Sequence, residues 1–244
     1  MTGWRARLGF LVPAGTPTVE PEMFQLAPPG VSVHFQRMVA RGANGTLEGL
    51  DERITTQLEH IDESTELLSM IRPDVIVLAH TATSYRLGRK NEQALAERLE
   101  ARYGVRFISA FGSVIAALDH LGVTRVALGT PYDEKLTLQA KENLKSYQRE
   151  VVCFDWLRNV RSIFEEPESR VYGLGRSVDR PQAQAVFLSG VGMPTVSVLG
   201  ALDRDLDKPV ISSSSAMIWN ALRVAGIAPV IPGYGRLLSG RNSA

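Results

Sequence analysis

The sequence alternates short apolar runs with longer amphipathic segments, and this alternation limits the fold more than any other feature. The runs are rich in Val, Ile, Leu and Phe and do not alternate with polar residues, which is typical of strands buried in a parallel sheet. The predicted strands are Leu8–Val12, Val31–Phe35, Val75–Ala79, Phe107–Ser109, Arg125–Leu128, Val151–Phe154, Ala185–Ser189 and Val210–Ser212. The segments with helical spacing are Leu50–Ile71, Asn91–Tyr103, Ser113–Leu121, Glu134–Tyr147 and Ala216–Ala225. Strands that alternate with helices predict an α/β fold with parallel sheets.

A weak internal repeat indicates that the α/β unit is duplicated. Three pairs of segments occur in the same order: Arg7–Pro13 with Arg125–Pro131, Val75–His80 with Ala185–Gly190, and Ser109–Ser113 with Ser213–Met217. Conserved order over three pairs favours duplication over chance similarity. We therefore predict two Rossmann-like lobes related by a pseudo-twofold axis.

The duplication also predicts where a ligand binds. Ligands of such sheets bind beyond the carboxyl ends of the strands, so residues that follow matching strands should face one another across a cleft. The facing pairs are Pro13–Thr16 with Thr130–Tyr132, and His80–Thr81 with Gly190–Gly192. Residues 1–112 together with 220–244 are expected to form the first lobe, and residues 113–219 the second.

Composition excludes several classes of protein. Hydrophobic residues make up 44% and charged residues 22% of the 244 residues, as in ordinary globular proteins. The formal net charge of +1 gives no reason to expect a nucleic acid or an acidic membrane as partner. The only cysteine, Cys153, excludes an internal disulfide and any mechanism that needs two thiols in one site. No targeting segment or membrane span is apparent, and the expected location is the cytoplasm.

Several segments resemble a known superfamily. They are Pro13–Glu22, Thr81–Tyr85 with Gly88, Gly129–Tyr132, Leu188–Gly192, Pro209–Ser214 and Pro232–Leu237. In order and spacing they resemble the aspartate/glutamate racemase superfamily, in the branch that holds maleate cis-trans isomerase and arylmalonate decarboxylase. The resemblance covers almost the whole chain and implies the two-lobed fold with an active-site cleft between the lobes.

The resemblance also implies reactive cysteines that this sequence lacks. Racemases of this fold carry one cysteine after each of two equivalent strands, and here His80 and Gly190 occupy those positions. Cys153 lies in a different predicted strand and does not replace either one. Isomerisation through a covalent bond to sulfur is therefore unavailable. What remains is a cofactor-independent, isomerase- or decarboxylase-like enzyme that acts on a small carboxylate or dicarboxylate through an oxyanion or enediolate.

Two residues are the candidate catalytic groups. His80 follows a buried strand, and an imidazole can give or take a proton near neutral pH. Tyr132 matches the tyrosine of the isomerases, and its phenol can donate a hydrogen bond to an oxyanion. With no side chain, Gly190 is expected to leave room for a larger substrate or a water. The candidate substrate-binding residues are Thr16, Thr81, Thr83, Ser84, Asn159, Gly190, Val191 and Gly192.

Two alternative functions stay open. One is a hydrolase or hydratase on the same scaffold, with His80 as acid or base. The other is a carboxylate-binding protein without catalysis. No Walker loop, complete dinucleotide fingerprint or zinc-binding HExxH motif is present, so we expect no nucleotide cofactor and no metal. The apolar helices allow a homodimer or a higher homo-oligomer, and the expected partner is otherwise a small-molecule carboxylate.

Overall fold

Two four-stranded parallel sheets form the framework of the protein, as a computed structural model that describes residues 3–43 and 47–240 shows. The strand order is β2-β1-β3-β4 in the first sheet and β6-β5-β7-β8 in the second. The strands are β1 Ala6–Pro13, β2 Val31–Met38, β3 Val75–Leu78, β4 Arg106–Ser109, β5 Arg125–Thr130, β6 Glu150–Trp156, β7 Ala185–Leu188 and β8 Val210–Ser212. Each of them contains or overlaps one predicted apolar run, so the predicted α/β fold with parallel sheets is confirmed.

Helices connect the strands and cover the sheets. They are α1 Val19–Leu26, α2 Leu50–Glu59, α3 Ile61–Ser69, α4 Thr81–Tyr103, α5 Ala110–His120, α6 Glu134–Ser146, α7 Glu168–Val178, α8 Val196–Leu206, α9 Ser213–Val224 and α10 Arg236–Ser239, with a 3₁₀ turn at Ile163–Glu165. The predicted single helix Leu50–Ile71 is in fact two helices, because His60 leaves the helical conformation at φ −105° and ψ 14°. The predicted helix at Asn91 starts ten residues earlier, with a break at Gly88.

The two sheets repeat the same strand order, which supports duplication. The repeat predicted from sequence pairs Ser109 with Ser213, and that register is wrong by one residue. Ser109 caps α5 by accepting the N–H of Gly112, and Ser212 caps α9 by accepting the N–H of Ser215. Ser212 is thus the equivalent of Ser109. Helix α9 has 12 residues and α5 has 11. An alignment that matches the ends of the two helices therefore shifts their beginnings by one residue.

One hydrophobic core extends across both lobes. It contains the large buried side chains Phe10, Phe111, Phe187 and Trp219, which come from both halves of the chain. Helix α9 follows β8 of the second sheet, yet it packs on α5 and on strands β1, β3 and β4 of the first sheet. The helices that follow the last strand of each sheet therefore join the two lobes.

The division into lobes at 112/113 and 219/220 stays a prediction. Both boundaries fall inside helices, the first in α5 and the second in α9. Residues 1–2, 44–46 and 241–244 of the predicted first lobe lie outside the described residues. In the described part of the chain, none of the helices combines the length and apolar character needed to cross a bilayer.

Candidate active site

A small cavity of about 70 Å³ lies where the carboxyl ends of the central strands of both sheets meet. Thr16 follows β1, His80 follows β3 and Tyr132 follows β5, while Val191 and Gly192 follow β7. These residues line the cavity together, as the repeat predicts for residues that follow matching strands. The full lining is Pro13, Gly15, Thr16, Leu50, Arg53, Gln57, His80, Tyr132, Ile163, Phe164, Val191 and Gly192.

His80 lies between β3 and α4 and is only 8% exposed. Its Nδ1 atom is 2.8 Å from the hydroxyl oxygen of Thr83, one turn into α4. Burial disfavours the charged ring, and the positive charge of Arg53 disfavours it further; together they lower the pKa of His80 to about 4. At neutral pH the imidazole is therefore uncharged. Because Nδ1 is engaged by Thr83, Nε2 is the ring nitrogen that remains for a ligand.

Tyr132 forms part of the opposite wall and is buried. Burial raises the pKa of its phenol, and the nearby hydroxyl of Ser189 offsets this only in part. Ser189 is also hydrogen-bonded to Tyr85 at 2.7 Å, and the Tyr85 ring meets the Tyr132 ring edge-on at 6.4 Å. The phenol of Tyr132 thus stays protonated and is held in place, which suits a hydrogen-bond donor to an oxyanion.

Gly190 does not provide the space expected from its missing side chain. A Cβ atom at this position would lie 2.9 Å from Cγ of Pro131 and 3.2 Å from the hydroxyl oxygen of Tyr132. Its φ of +99° also lies in the region that favours glycine. The expectation of room for a larger substrate or a water beside Gly190 is therefore wrong, because Pro131 and Tyr132 fill that space.

Other predicted binding residues lie near the cavity without lining it. Thr81 is fully buried and donates to the hydroxyl of Ser213, which also accepts the N–H of Gly190. Thr83 contacts His80, and Ser84 is fully buried inside the first turns of α4. Asn159 is exposed, with φ 57°, and is not part of the lining.

Sequence reasoning missed the part of the cavity that comes from α2 and the 3₁₀ turn. Leu50, Arg53 and Gln57 are spaced by three and four residues and so lie on one face of α2. That spacing is visible in the sequence, but the apolar face of the same segment dominates its pattern. Ile163 and Phe164 add apolar surface from the 3₁₀ turn. Arg53 donates to the carbonyl oxygen of Glu48 at 2.8 Å, which fixes its side chain beside the cavity.

The charges around the cavity are few. Among the described lining residues, Arg53 is the one side chain that carries a charge at neutral pH, since His80 and Tyr132 are neutral. The described residues contain no group of three His, Cys, Asp or Glu side chains that could share a metal ion. The cavity is thus a neutral-to-positive site with apolar walls, which suits a small organic anion.

The fold and the cavity place the chain among duplicated α/β proteins with a ligand site between two equivalent sheets. A family model of arylmalonate decarboxylase matches residues 8–238, and the chain belongs to that family. The curated relatives are enzymes, so this is a family of isomerase- and lyase-type enzymes.

The similar proteins carry two names. A maleate isomerase of Nocardia farcinica is 27% identical over 95% of this chain and 95% of its own length. An arylmalonate decarboxylase of Bordetella bronchiseptica is 30% identical over 79% of this chain and 80% of its own. A crystal structure of a maleate isomerase from Pseudomonas putida with maleate superposes with a TM-score of 0.88 at 25% identity, covering 96% and 98% of the two chains.

Proposed function

We propose that this protein is a cofactor-independent, isomerase- or decarboxylase-like enzyme that acts on a small carboxylate, with His80 in place of a cysteine as the proton-transferring group. The observation that carries the proposal is a buried, neutral imidazole at the end of β3, with Arg53 beside it in the same cavity. A cation next to a neutral base is suited to hold a carboxylate while a proton moves at the neighbouring carbon.

Binding of the substrate prepares His80 for this role. The carboxylate is attracted to Arg53, and the hydroxyls of Thr16 and Tyr132 supply hydrogen bonds from the other walls. A negative charge bound beside the ring favours the imidazolium, so it raises the pKa of His80 from its low value in the empty site towards the working pH. The base is thus strengthened only when substrate is present.

The reaction then passes through an enediolate. Nε2 of His80 takes a proton from the carbon next to the carboxylate, and the electron pair of the C–H bond moves onto the carboxylate oxygens. Tyr132 and Arg53 stabilise that negative charge. The imidazolium returns the proton to carbon, which restores neutral His80. Return to the same carbon exchanges the α-proton with solvent, whereas return to the far end of a conjugated enediolate moves the double bond. In a decarboxylation the same enediolate forms when a C–C bond breaks and CO₂ leaves, and the imidazolium formed on substrate binding supplies the proton.

The absence of a thiol separates this proposal from the chemistry of one relative. A structure of the Nocardia farcinica maleate isomerase holds a covalently bound succinylcysteine intermediate. In the present chain the only cysteine, Cys153, lies on strand β6 and does not line the cavity. The site therefore favours proton transfer by imidazole over addition of sulfur to an alkene.

The test is an NMR turnover screen in D₂O with maleate, phenylmalonate, hydantoins, small lactones and aspartate. Wild type is compared with His80→Ala and with a control, His34→Ala, on the edge strand β2. We expect turnover, or exchange of the α-proton for deuterium, in wild type and the control and a loss of about 100-fold or more in His80→Ala, since general acid–base catalysis contributes about 10²–10⁴-fold.

Each other outcome has a definite meaning. Equal turnover by His80→Ala and wild type would contradict the role of His80. Binding of a carboxylate by wild type without turnover or exchange would favour the carboxylate-binding alternative. Hydrolysis of a lactone or hydantoin would favour the hydrolase alternative on the same scaffold.

A further inference from the structure

Gln57 lines the cavity, and its amide oxygen has no hydrogen-bond partner among the described residues. Its side chain is 2% exposed, and its Oε1 atom is buried. A buried polar atom without a partner destabilises a protein, and such atoms are rare in native structures. Because Gln57 lines the cavity, a small rotation of its side chain would let a ligand supply the missing donor.

The position of Gln57 relative to Arg53 suggests what kind of ligand this is. The two residues are four apart on α2, so their side chains project from the same face of the helix. Arg53 matches a carboxylate. A second carboxylate at Gln57 would place an acceptor against the Oε1 acceptor, and the described lining offers no second charged group to balance its charge.

We propose that Gln57 selects substrates that carry a neutral primary amide near their carboxylate, so that half-amides of dicarboxylic acids bind better than the dicarboxylates. This inference rests on the proposed function, because it concerns the same site. A primary amide donates through its NH₂ group to Oε1 and accepts through its oxygen from the NH₂ group of Gln57. The two amides together form a reciprocal pair of hydrogen bonds.

The same pairing holds for either orientation of the Gln57 amide. The oxygen and nitrogen of a glutamine amide exchange places when the group rotates by half a turn. Rotation would bring Nε2 to the buried position now held by Oε1. A primary amide on the ligand again satisfies both atoms after its own rotation. A carboxylate only accepts, so it can pair with Nε2 in the rotated arrangement but leaves Oε1 without a donor in both arrangements.

The experiment compares two ligands that differ in one group. Maleate and maleamate are titrated by NMR or calorimetry at pH 7.5 into wild type, Gln57→Met and Gln57→Glu. Thr56→Val is the control, since Thr56 is buried on the same helix, bonds to the carbonyl of Glu52 and does not line the cavity. We expect wild type and Thr56→Val to bind maleamate about tenfold more tightly than maleate, an effect in the range of one unpaired buried polar group.

The two variants at Gln57 should respond differently. Gln57→Met removes both hydrogen-bonding atoms and should abolish the preference. Gln57→Glu keeps an acceptor for the amide of maleamate and adds a negative charge against maleate, so the preference should increase. A circular dichroism melt of each variant checks that it is folded before the titration.

Three results would overturn the inference: a wild type that binds maleate as tightly as maleamate, a preference that persists in Gln57→Met, or no binding of either ligand to wild type. In the first two cases the proposed function stands if turnover of any screened carboxylate still depends on His80. Failure of the proposed function shows separately, as turnover that is unaffected by His80→Ala.

Discussion

Replacing Glu22 by glutamine should make the protein more stable at neutral and alkaline pH. Glu22 lies on α1 and is 8% exposed. Its Oε1 atom accepts the N–H groups of Thr195 at 2.9 Å and Val196 at 3.1 Å, and so caps the start of α8 from the other half of the chain. Burial raises the pKa of this carboxyl to about 7, because it outweighs the lowering effect of the nearby Ser214 hydroxyl and of the hydrogen bonds from Val196 and Thr195.

The pKa of Glu22 differs between the unfolded chain and the native protein, and this difference sets how the free energy of unfolding changes with pH. Below pH 4.5 Glu22 is protonated in both the native and the unfolded state. Between 4.5 and about 7 the unfolded chain loses this proton while the native protein retains it, so the free energy of unfolding falls as the pH rises. Above about pH 7 the Glu22 carboxyl is ionised in both states, and its titration lowers the free energy of unfolding no further. A rise in pKa from 4.5 to about 7 corresponds to about 3 kcal/mol.

Glutamine resembles the protonated carboxyl and does not titrate. The substitution Glu22→Gln also keeps a side-chain oxygen that can accept both N–H groups at the start of α8. The difference in unfolding free energy between Glu22→Gln and wild type should therefore grow from near zero at pH 4.5 to about 3 kcal/mol at pH 8. Every other titrating group is shared by the two proteins and cancels in this difference.

Urea unfolding at pH 4.5, 5.5, 6.5, 7.5 and 8.5 measures this difference. The control is Asp203→Asn, because Asp203 is also a buried carboxylate that accepts backbone N–H groups, at Val210 and Arg236, but it is paired with the guanidinium of Arg236. The control should be less stable than wild type at neutral pH, since it removes the negative charge that pairs with Arg236 at this position. Parallel curves for Glu22→Gln and wild type from pH 4.5 to 8.5 would refute the reasoning.

Further predictions concern the site and one glycine. For a substrate from which His80 removes a proton, kcat/KM should fall as the pH drops through about 4, where the ring of the free enzyme becomes protonated, and a profile without that acid limb would contradict its role as base. Arg53→Gln should move the limb to higher pH, because it removes a positive charge that lowers the pKa of His80, and should raise KM. Gly190→Ala should lower the free energy of unfolding by about 1–3 kcal/mol, because Gly190 has a positive φ and an added Cβ would contact Pro131. Gly173→Ala, in open space on α7, should raise it by about 0.5–1 kcal/mol. Equal thermal shifts of the two variants would contradict this prediction.

The strand-end residues of the cavity could be predicted because they depend on few assumptions. Once the apolar runs are parallel strands, their carboxyl ends lie at one edge, and the residues that follow them meet there. Thr16, His80, Tyr132, Val191 and Gly192 were found in this way, and they all line the cavity. The duplication added the second half of the site, because it showed which strand ends face each other.

The remaining residues depend on tertiary packing that local sequence does not encode. Arg53 and Gln57 line the cavity only because α2 lies over the strand ends, and the packing of a connecting helix is set by contacts distant in sequence. The sequence predicts that Thr81 and Ser84 bind substrate through hydroxyls in a strand-end loop. In the structure they lie in the first turns of α4, where both are buried and neither lines the cavity, so their role in binding stays a prediction. A glycine at position 190 was evident, but the position of Pro131 against it was not.

The two lobes have diverged at the positions that the duplication makes equivalent. After β3 the chain places the imidazole of His80 in the cavity, whereas after β7 Gly190 lies against Pro131 and Tyr132, and Val191 and Gly192 line the cavity. A pair of acid/base groups on opposite sides of a planar enediolate removes a proton from one face and returns it to the other. In the proposed mechanism His80 is the single such group, so proton removal and return would occur on the same face. We therefore expect a product of one configuration rather than a racemate, and chiral analysis of a product formed in D₂O should show a single enantiomer.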